Sequence, residues 1–168
     1  YSMFSSKIYR SWHTLQRRKY KKIFDILGRD FVRQILAHKR ILDLGVGNGL
    51  FEDFLAKSHI TTTIVGVDND LAMLRSANAV LGNGNELPFK DETFDVIVSI
   101  DAIHSIKTDD FKRTLRRGGF VLFSLFFNDS DYTIKRHYVR NKLRGFDIIA
   151  EFTVSDTENE YVVLARKR

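Results

Sequence analysis

Residues 38–58, HKRILDLGVGNGLFEDFLAKS, join a short apolar segment to a helical one. Arg40–Leu44 is predicted to be a buried strand, and Leu50–Lys57 a helix with apolar residues at helical spacing. Three glycines separate them at alternate positions: Gly45, Gly47 and Gly49. A strand that enters a helix through a glycine turn is typical of sites where a nucleotide-like cofactor lies over the turn.

The rest of the chain alternates between strand-like and helix-like segments. Further strands are predicted at 61–67, 94–100, 120–127, 148–154 and 161–165, a turn at 116–119, and helices at 20–36 (interrupted near Gly28), 71–81, 111–115 and 132–143. The last two strands are joined too closely for a crossover and should be antiparallel. We therefore expect an α/β fold: a Rossmann-like, mostly parallel sheet with helices on both faces and an antiparallel C-terminal strand.

The composition places the chain among globular proteins. Its 168 residues are 43% hydrophobic and 29% charged, which predicts one domain over 1–168. No apolar run approaches the roughly 20 residues that span a bilayer, and no signal peptide is recognisable, so we expect no membrane contact and a cytoplasmic location. The chain has no cysteine and no zinc-spaced histidine pair, which disfavours a thiol nucleophile and a bound metal.

Positive charge is concentrated at the N-terminus. Residues 1–40 hold eleven Lys and Arg against two Asp, whereas the remainder holds sixteen against nineteen acidic residues. Residues 1–37 therefore read as a basic helical arm, in which Tyr9, Trp12 and Tyr20 alternate with cations. Such a pattern suits RNA binding, through phosphate contacts and base stacking. It equally suits a solvated helix whose aromatic residues cap a cofactor pocket, and we favour this lid.

The glycine turn by itself leaves the cofactor open. A triphosphate loop needs a Gly-Lys pair, which is absent, and a dinucleotide turn has the spacing G-x-G-x-x-G rather than G-x-G-x-G. Asp43, two residues before the first glycine, would repel a pyrophosphate and attract an amino group. Asp68 ends the second strand, where a carboxylate can accept both hydroxyls of a ribose.

Four segments in order, ILDLGVGNG, VGVDNDLAML, GNGNELPFKDETFDVIVS and LRRGGFVLFS, resemble the motifs of class I S-adenosylmethionine-dependent methyltransferases, most closely the type 11 group. The resemblance covers about residues 38–127. It implies S-adenosylmethionine as the cofactor and methyl transfer to an O or N nucleophile of an unidentified, small-molecule acceptor.

The resemblance assigns cofactor contacts to Asp43, Gly45, Gly47, Gly49, Asp68, Asn69, Asn83, Gly84 and Ser99. Asp43 would face the methionine amino group, the glycines would let the backbone approach the cofactor, and Asp68 would hold the ribose. Asn69 would border the adenine, and Gly84 would offer its N–H. Asn83 stands where the family commonly has Asp, and its carbonyl can still accept the adenine amine. Ser99 to Ala102 would line the cofactor below the methyl group.

Two residues after the third predicted strand are candidates for acceptor chemistry. A general base is needed only when the nucleophile arrives protonated, and His104 is the first candidate, with a structural histidine as the alternative. Asp101 is the second. The absence of cysteine excludes cytosine C5 methylation, and SIDA replaces the [ND]-P-P-[YF] motif of adenine and glutamine amide methyltransferases.

Three alternative functions remain. The basic arm allows an RNA methyltransferase. The short segment between Ile106 and Arg117 allows a cofactor-binding subunit without activity that a partner completes, and the oligomeric state is open. The least favoured is an NAD-dependent oxidoreductase, which rests on the glycine turn and Asp68.

Overall fold

One seven-stranded sheet organises the computed structural model, which describes residues 6–71, 78–156 and 158–168, with side chains from His13 onward. The strands are β1 (Arg40–Leu44), β2 (Thr63–Asp68), β3 (Ala79–Leu81), β4 (Phe94–Ile100), β5 (Leu115–Phe127), β6 (Phe146–Ser155) and β7 (Asn159–Lys167). Their order in the sheet is β3-β2-β1-β4-β5-β7-β6. Strands β1 to β5 are parallel, and β7 lies antiparallel to both β5 and β6. The predicted fold class is therefore confirmed.

Helices cover the two faces of this sheet. They are α1 (Ser6–Leu27), α2 (Arg29–Leu36), α3 (Leu50–Lys57), α4 (Phe111–Thr114) and α5 (Tyr132–Lys142), with a 3-10 turn at Ile103–Ser105. One apolar core lies between the sheet and α1 to α3, and another lies on the opposite face beneath α4, α5 and the 3-10 turn. None of the described helices is long and apolar enough to cross a bilayer.

Strand order reverses between β1 and β4, which pair directly through Ile41 and Val96. The chain after β1 crosses to β2 on one side, and the chain after β4 crosses to β5 on the other. Loops that leave two neighbouring parallel strands in opposite directions open a crevice at their carboxyl ends. The glycine turn after β1 and the segment after β4 therefore border the same crevice.

Several predicted elements have the predicted bounds. β1, α3 and β4 agree residue for residue, and the helical arm breaks at Gly28, whose φ is +88°. A positive φ is readily adopted by glycine and seldom by other residues, so the helix divides at this position. The terminal pair is antiparallel as expected, although both strands extend beyond the predicted ends.

Two predictions were wrong. Ala79–Leu81, placed in a helix over 71–81, forms the edge strand β3 beside β2; residues 72–77 of that helix lie outside the described residues. The predicted turn at 116–119 is part of β5. Gly118 has a φ of +72°, and the pairing with β4 shifts register between Phe94 and Val96. The glycines therefore mark an irregularity within a strand rather than its beginning.

Helix α1 is fixed to the sheet by aromatic packing against α3. Tyr20 and Phe24 lie with their ring centroids 5.1 to 6.3 Å from those of Phe51 and Phe54. Aromatic pairs at these distances stabilise beyond the area that they bury. This packing holds the C-terminal half of α1 over the end of β1.

Candidate active site

Two clefts meet above the carboxyl ends of β1 and β4. The larger cleft, of about 300 Å³, is lined by Leu44, Gly45, Val67, Asp68, Asn69, Gly82, Asn83, Gly84, Ile100, Asp101, Ala102, His104, Ser105 and Ile106. The smaller cleft, of about 80 Å³, is lined by Gln16, Tyr20, Asp43, Gly45, Val46, Gly47, Asn48, Leu50, Phe51, Ile100 and Asp101. Gly45, Ile100 and Asp101 line both, so the two clefts adjoin, and together they are called the groove.

The glycine turn forms the floor between the clefts. Gly45 has a φ of +83°, and a Cβ on it would lie 2.1 Å from the Cβ of Ala102, so no other residue fits there. Gly47 donates its N–H to Asp68 Oδ2 at 2.8 Å, which ties the turn to the end of β2. Gly49 precedes α3 with a φ of +77° and lines neither cleft. Of the three glycines, Gly45 and Gly47 are therefore the ones whose backbone lines the clefts.

Asp43 lies in the smaller cleft and is almost completely buried. Burial, and after it the nearby carboxylates of Glu52 and Asp68, raise its pKa to about 7. The site therefore holds a carboxyl group that ionises readily once a cation comes to lie beside it. An amino group is such a cation.

Asp68 and Asn69 stand at the end of β2 in the larger cleft. Asp68 Oδ1 accepts the N–H of Asp70 at 2.9 Å, and Oδ2 accepts that of Gly47. Each carboxylate oxygen has two lone pairs, so both can still accept a hydroxyl group. The arrangement holds the carboxylate rigidly while leaving it able to bind a diol.

The opposite wall of the larger cleft is the loop that contains Asn83 and Gly84. Asn83 Oδ1 accepts the N–H of Asn85 at 2.9 Å, and Gly84 lies against Ile106 with a φ of +68°. The sequence analysis missed Asn85. Its Oδ1 accepts the N–H groups of Lys107 and Thr108 at 2.7 and 3.2 Å, which joins this wall to the segment after the 3-10 turn.

The remaining predicted residues follow β4 or lie within it. Ser99 is fully buried, lines neither cleft, and donates its hydroxyl to the carbonyl oxygen of Leu44 at 2.8 Å, so it fixes the end of β1. His104 is exposed on the 3-10 turn and lines the larger cleft. Asp101 lies where the clefts meet, with a φ of +58° that is uncommon for any residue but glycine.

A buried ion-pair cluster, which the sequence analysis did not foresee, surrounds Asp101. Lys19 of α1 places its Nζ 2.5 Å from Asp101 Oδ2 and 2.5 Å from Glu160 Oε1 of β7. Burial lowers the pKa of Lys19, but Asp101 and Glu160 outweigh it and leave that pKa raised. Burial and Asp101 raise the pKa of Glu160 to about 7 despite Lys19. Two carboxyl groups thus share one cation.

Helix α1 contributes to the smaller cleft directly. Gln16 and Tyr20 line it, and Tyr20 had been predicted as one of the aromatic residues over the pocket. The side chains of Tyr9 and Trp12 lie outside the described residues. A glutamine in an amphipathic helix carries no signal of its own, so Gln16 could not have been identified from the sequence.

Comparison with known proteins identifies the class. The family model of a methyltransferase domain matches residues 42–123. A candidate methyltransferase of Encephalitozoon cuniculi is 32% identical over 60% of this chain and 50% of its own length. A demethylmenaquinone methyltransferase of Corynebacterium kroppenstedtii is 29% identical over 84% of this chain and 66% of its own. An S-adenosylmethionine-dependent methyltransferase of Methanosarcina mazei shares the fold, with a TM-score of 0.67, 16% identity, and coverage of 82% and 96%.

The fold is the Rossmann-like fold that this chain shares with S-adenosylmethionine-dependent methyltransferases. Over residues 42–123 the sequence is similar to the methyltransferase-domain family. The residues fit S-adenosylmethionine: Asp43 offers an anion to an amino group, Asp68 offers acceptors to a diol, and Gly45 leaves room between them. The chain spans half the length of the first of these curated relatives and about two thirds of the second.

Proposed function

We propose that this chain catalyses methyl transfer from S-adenosylmethionine to an O or N nucleophile of a small-molecule acceptor. The observation that carries the proposal is the pair of adjoining clefts, with a carboxyl group in each and the glycine turn between them. Bound S-adenosylmethionine supplies an electrophilic methyl group. The protein then has to position the reactants and exclude water.

The role of each residue follows from the cleft in which it lies. Asp43 and Gly47 would hold the amino-acid end in the smaller cleft, with Gln16 and Tyr20 of α1 excluding water above it. Asp68 would take the ribose hydroxyls in the larger cleft. There, Asn69, Asn83 and Gly84 would contact the adenine, and Ser99 would act indirectly through β1.

His104 is the residue we propose as general base. Its ring is exposed at the larger cleft, so an acceptor that enters from solvent can reach it. Asp101 is less accessible to an acceptor, because Lys19 pairs with one of its oxygens and the N–H of Phe126 donates to the other at 2.7 Å. These contacts hold Asp101 in place as a fixed anion.

A small acceptor is favoured over RNA because several cations of the basic arm are paired with carboxylates. Lys19 is buried between two carboxyl groups, and Lys22 pairs with Asp156. Lys21 and Arg29 both lie beside Asp25. Much of the positive charge is therefore used within the fold. The similarity to a protein named for methylating demethylmenaquinone points in the same direction.

Calorimetric titration with S-adenosylhomocysteine tests the cofactor site. We expect binding by the unaltered protein, a loss of at least tenfold in Asp68→Ala, and no change in Asp53→Ala, which removes an exposed carboxylate from neighbouring α3. Thermal unfolding of both variants establishes that they are folded. Stabilisation by NAD but not by S-adenosylhomocysteine would favour the oxidoreductase instead.

The acceptor class is tested by incubating the protein with methyl-labelled S-adenosylmethionine and fractionated cell extract, with and without ribonuclease. We expect label in a small-molecule fraction that ribonuclease does not affect, and loss of the label in His104→Ala with cofactor binding retained. Label that disappears with ribonuclease would establish the RNA alternative. Cofactor binding without turnover, together with a larger complex in light scattering, would favour the partner-dependent subunit.

A further inference from the structure

The two clefts share three residues, and one of them is charged. Gly45, Ile100 and Asp101 line both clefts, and Asp101 supplies the carboxylate. In S-adenosylmethionine the sulfonium joins the adenosyl group to the methionine chain. If these groups occupy the larger and the smaller cleft, the sulfonium has to lie at the junction, beside Asp101.

Asp101 is held rigidly at this point. Its Oδ1 accepts the N–H of Phe126 at 2.7 Å, its Oδ2 pairs with Lys19 at 2.5 Å, and its own N–H donates to the carbonyl oxygen of Ser124 at 2.9 Å. The φ of +58° is a conformation that costs free energy for a residue with a side chain. Such residues persist where the surrounding structure fixes them, and they cluster at functional sites.

The charge around Asp101 is unbalanced. Lys19 is the cation of the cluster, and it is shared with Glu160, which is 1% exposed. Tyr20 of α1 and Asp43 of β1 line the adjoining smaller cleft and add no positive charge. When both carboxyl groups are ionised, the cluster carries one excess negative charge, which a sulfonium can neutralise and the thioether of the product cannot.

We propose that Asp101 faces the sulfonium of the bound methyl donor, and that Lys19 and Glu160 are positioning residues that hold this anion and set its charge. The site thereby favours charged S-adenosylmethionine over neutral S-adenosylhomocysteine, and α1 is part of that selection. The inference rests on the proposed function, since it takes both ligands to bind in the groove.

Asp101 and Lys19 have opposite charges, so their removal has opposite effects. In Asp101→Asn the amide retains an oxygen for the N–H of Phe126 but loses the charge that attracts the sulfonium. In Lys19→Met the cation is lost, and the two remaining carboxyl groups, Asp101 and Glu160, attract the sulfonium more strongly. An ion pair with a purely structural role would, when broken from either side, weaken the binding of both ligands in the same way.

The experiment compares the affinities of S-adenosylmethionine and S-adenosylhomocysteine by calorimetry at pH 8. We expect Asp101→Asn to weaken binding of the sulfonium ligand about tenfold and of the thioether less than twofold, and Lys19→Met to shift the affinity ratio the other way. Should Lys19→Met not fold, Lys19→Gln removes the same charge with a polar side chain and makes the same test.

Equal losses for both ligands in Asp101→Asn, or a ratio that moves in the same direction in both variants, would overturn the inference and leave the cofactor site intact. If the unaltered protein bound neither ligand, the proposed function itself would fail. An analogue with an amine in place of the sulfonium provides a further check, since it should follow the charged donor in every variant.

Discussion

At the residue scale, the groove depends on positions where one atom more would collide. Gly45 lies against Ala102, and its positive φ adds backbone strain to the steric conflict that a side chain would create. Gly47 has a positive φ too, but a Cβ there would meet nothing within 4 Å. The two glycines of one turn therefore separate the effect of strain from that of close approach.

We predict that Gly45→Ala destabilises the protein by about 2–4 kcal/mol and abolishes binding of S-adenosylhomocysteine, because Ala102 and the turn must move apart. Gly47→Ala should cost about 1 kcal/mol, from backbone strain alone. Urea unfolding and calorimetry measure the two quantities. Equal losses in the two variants would show that close packing against Ala102 is unimportant.

The buried carboxyl groups predict how stability depends on pH. Asp43 and Glu160 have pKa values of about 7 in the folded protein, against about 4 when unfolded. The folded state binds more protons between these values, so the free energy of unfolding should fall as pH rises from about 4 to 7. Carboxyl groups with a lowered pKa affect the free energy of unfolding only below this pH range, and they are Asp25, Asp109, Asp110, Asp131 and Glu151.

Asp43→Asn should therefore make the decline of stability between pH 4.5 and 8 shallower and raise stability at pH 8 by about 1–3 kcal/mol. The remaining slope belongs to Glu160. Urea unfolding across this range checks the prediction, with Asp53→Asn as an exposed control whose profile should run parallel to that of the unaltered protein. A parallel profile for Asp43→Asn would contradict the raised pKa.

At the element scale, α1 contributes residues both to the packing of the fold and to the candidate site. It brings Gln16 and Tyr20 to the smaller cleft and Lys19 to Asp101, while Phe24 packs on Phe51 and Phe54 one turn further along. The aromatic contacts therefore position a helix whose other residues surround the cofactor groove. Aromatic packing and the ion pairs of Lys19 therefore both hold this part of α1 in place.

Phe24→Ala should cost about 3 kcal/mol of stability, as deletion of a buried phenylalanine does, and should weaken binding of S-adenosylhomocysteine severalfold although Phe24 lines neither cleft. Ile26→Ala, on the exposed face of the same helix, should change both quantities little. Loss of stability with unchanged affinity would show that α1 is not part of the binding site.

At the scale of the whole molecule, the sequence predicted the elements whose residues alone determine them, and missed the contacts that depend on distant strands. β1 and α3 are apolar segments that border a glycine, and β4 is an apolar segment between polar residues, so the sequence indicates their bounds. β3 is too short to show a period, and it exists because β2 offers it an edge. The contact of Lys19 with Glu160 depends on where β7 inserts between β5 and β6, which no local pattern encodes.

The distribution of charge over the molecule yields the last prediction. Arg17 and Arg18 remain exposed on α1, whereas Lys19 and Lys22 are engaged with carboxylates. In the described part of α1 most cations lie beside a carboxylate, so single-stranded RNA should bind more weakly than about 10⁻⁵ M at 150 mM salt, with a shallow salt dependence. Fluorescence anisotropy with a labelled oligonucleotide measures this, and Arg17→Glu/Arg18→Glu should leave binding of S-adenosylhomocysteine unchanged. Saturable submicromolar RNA binding that this double variant abolishes would instead establish the arm as an RNA-binding surface.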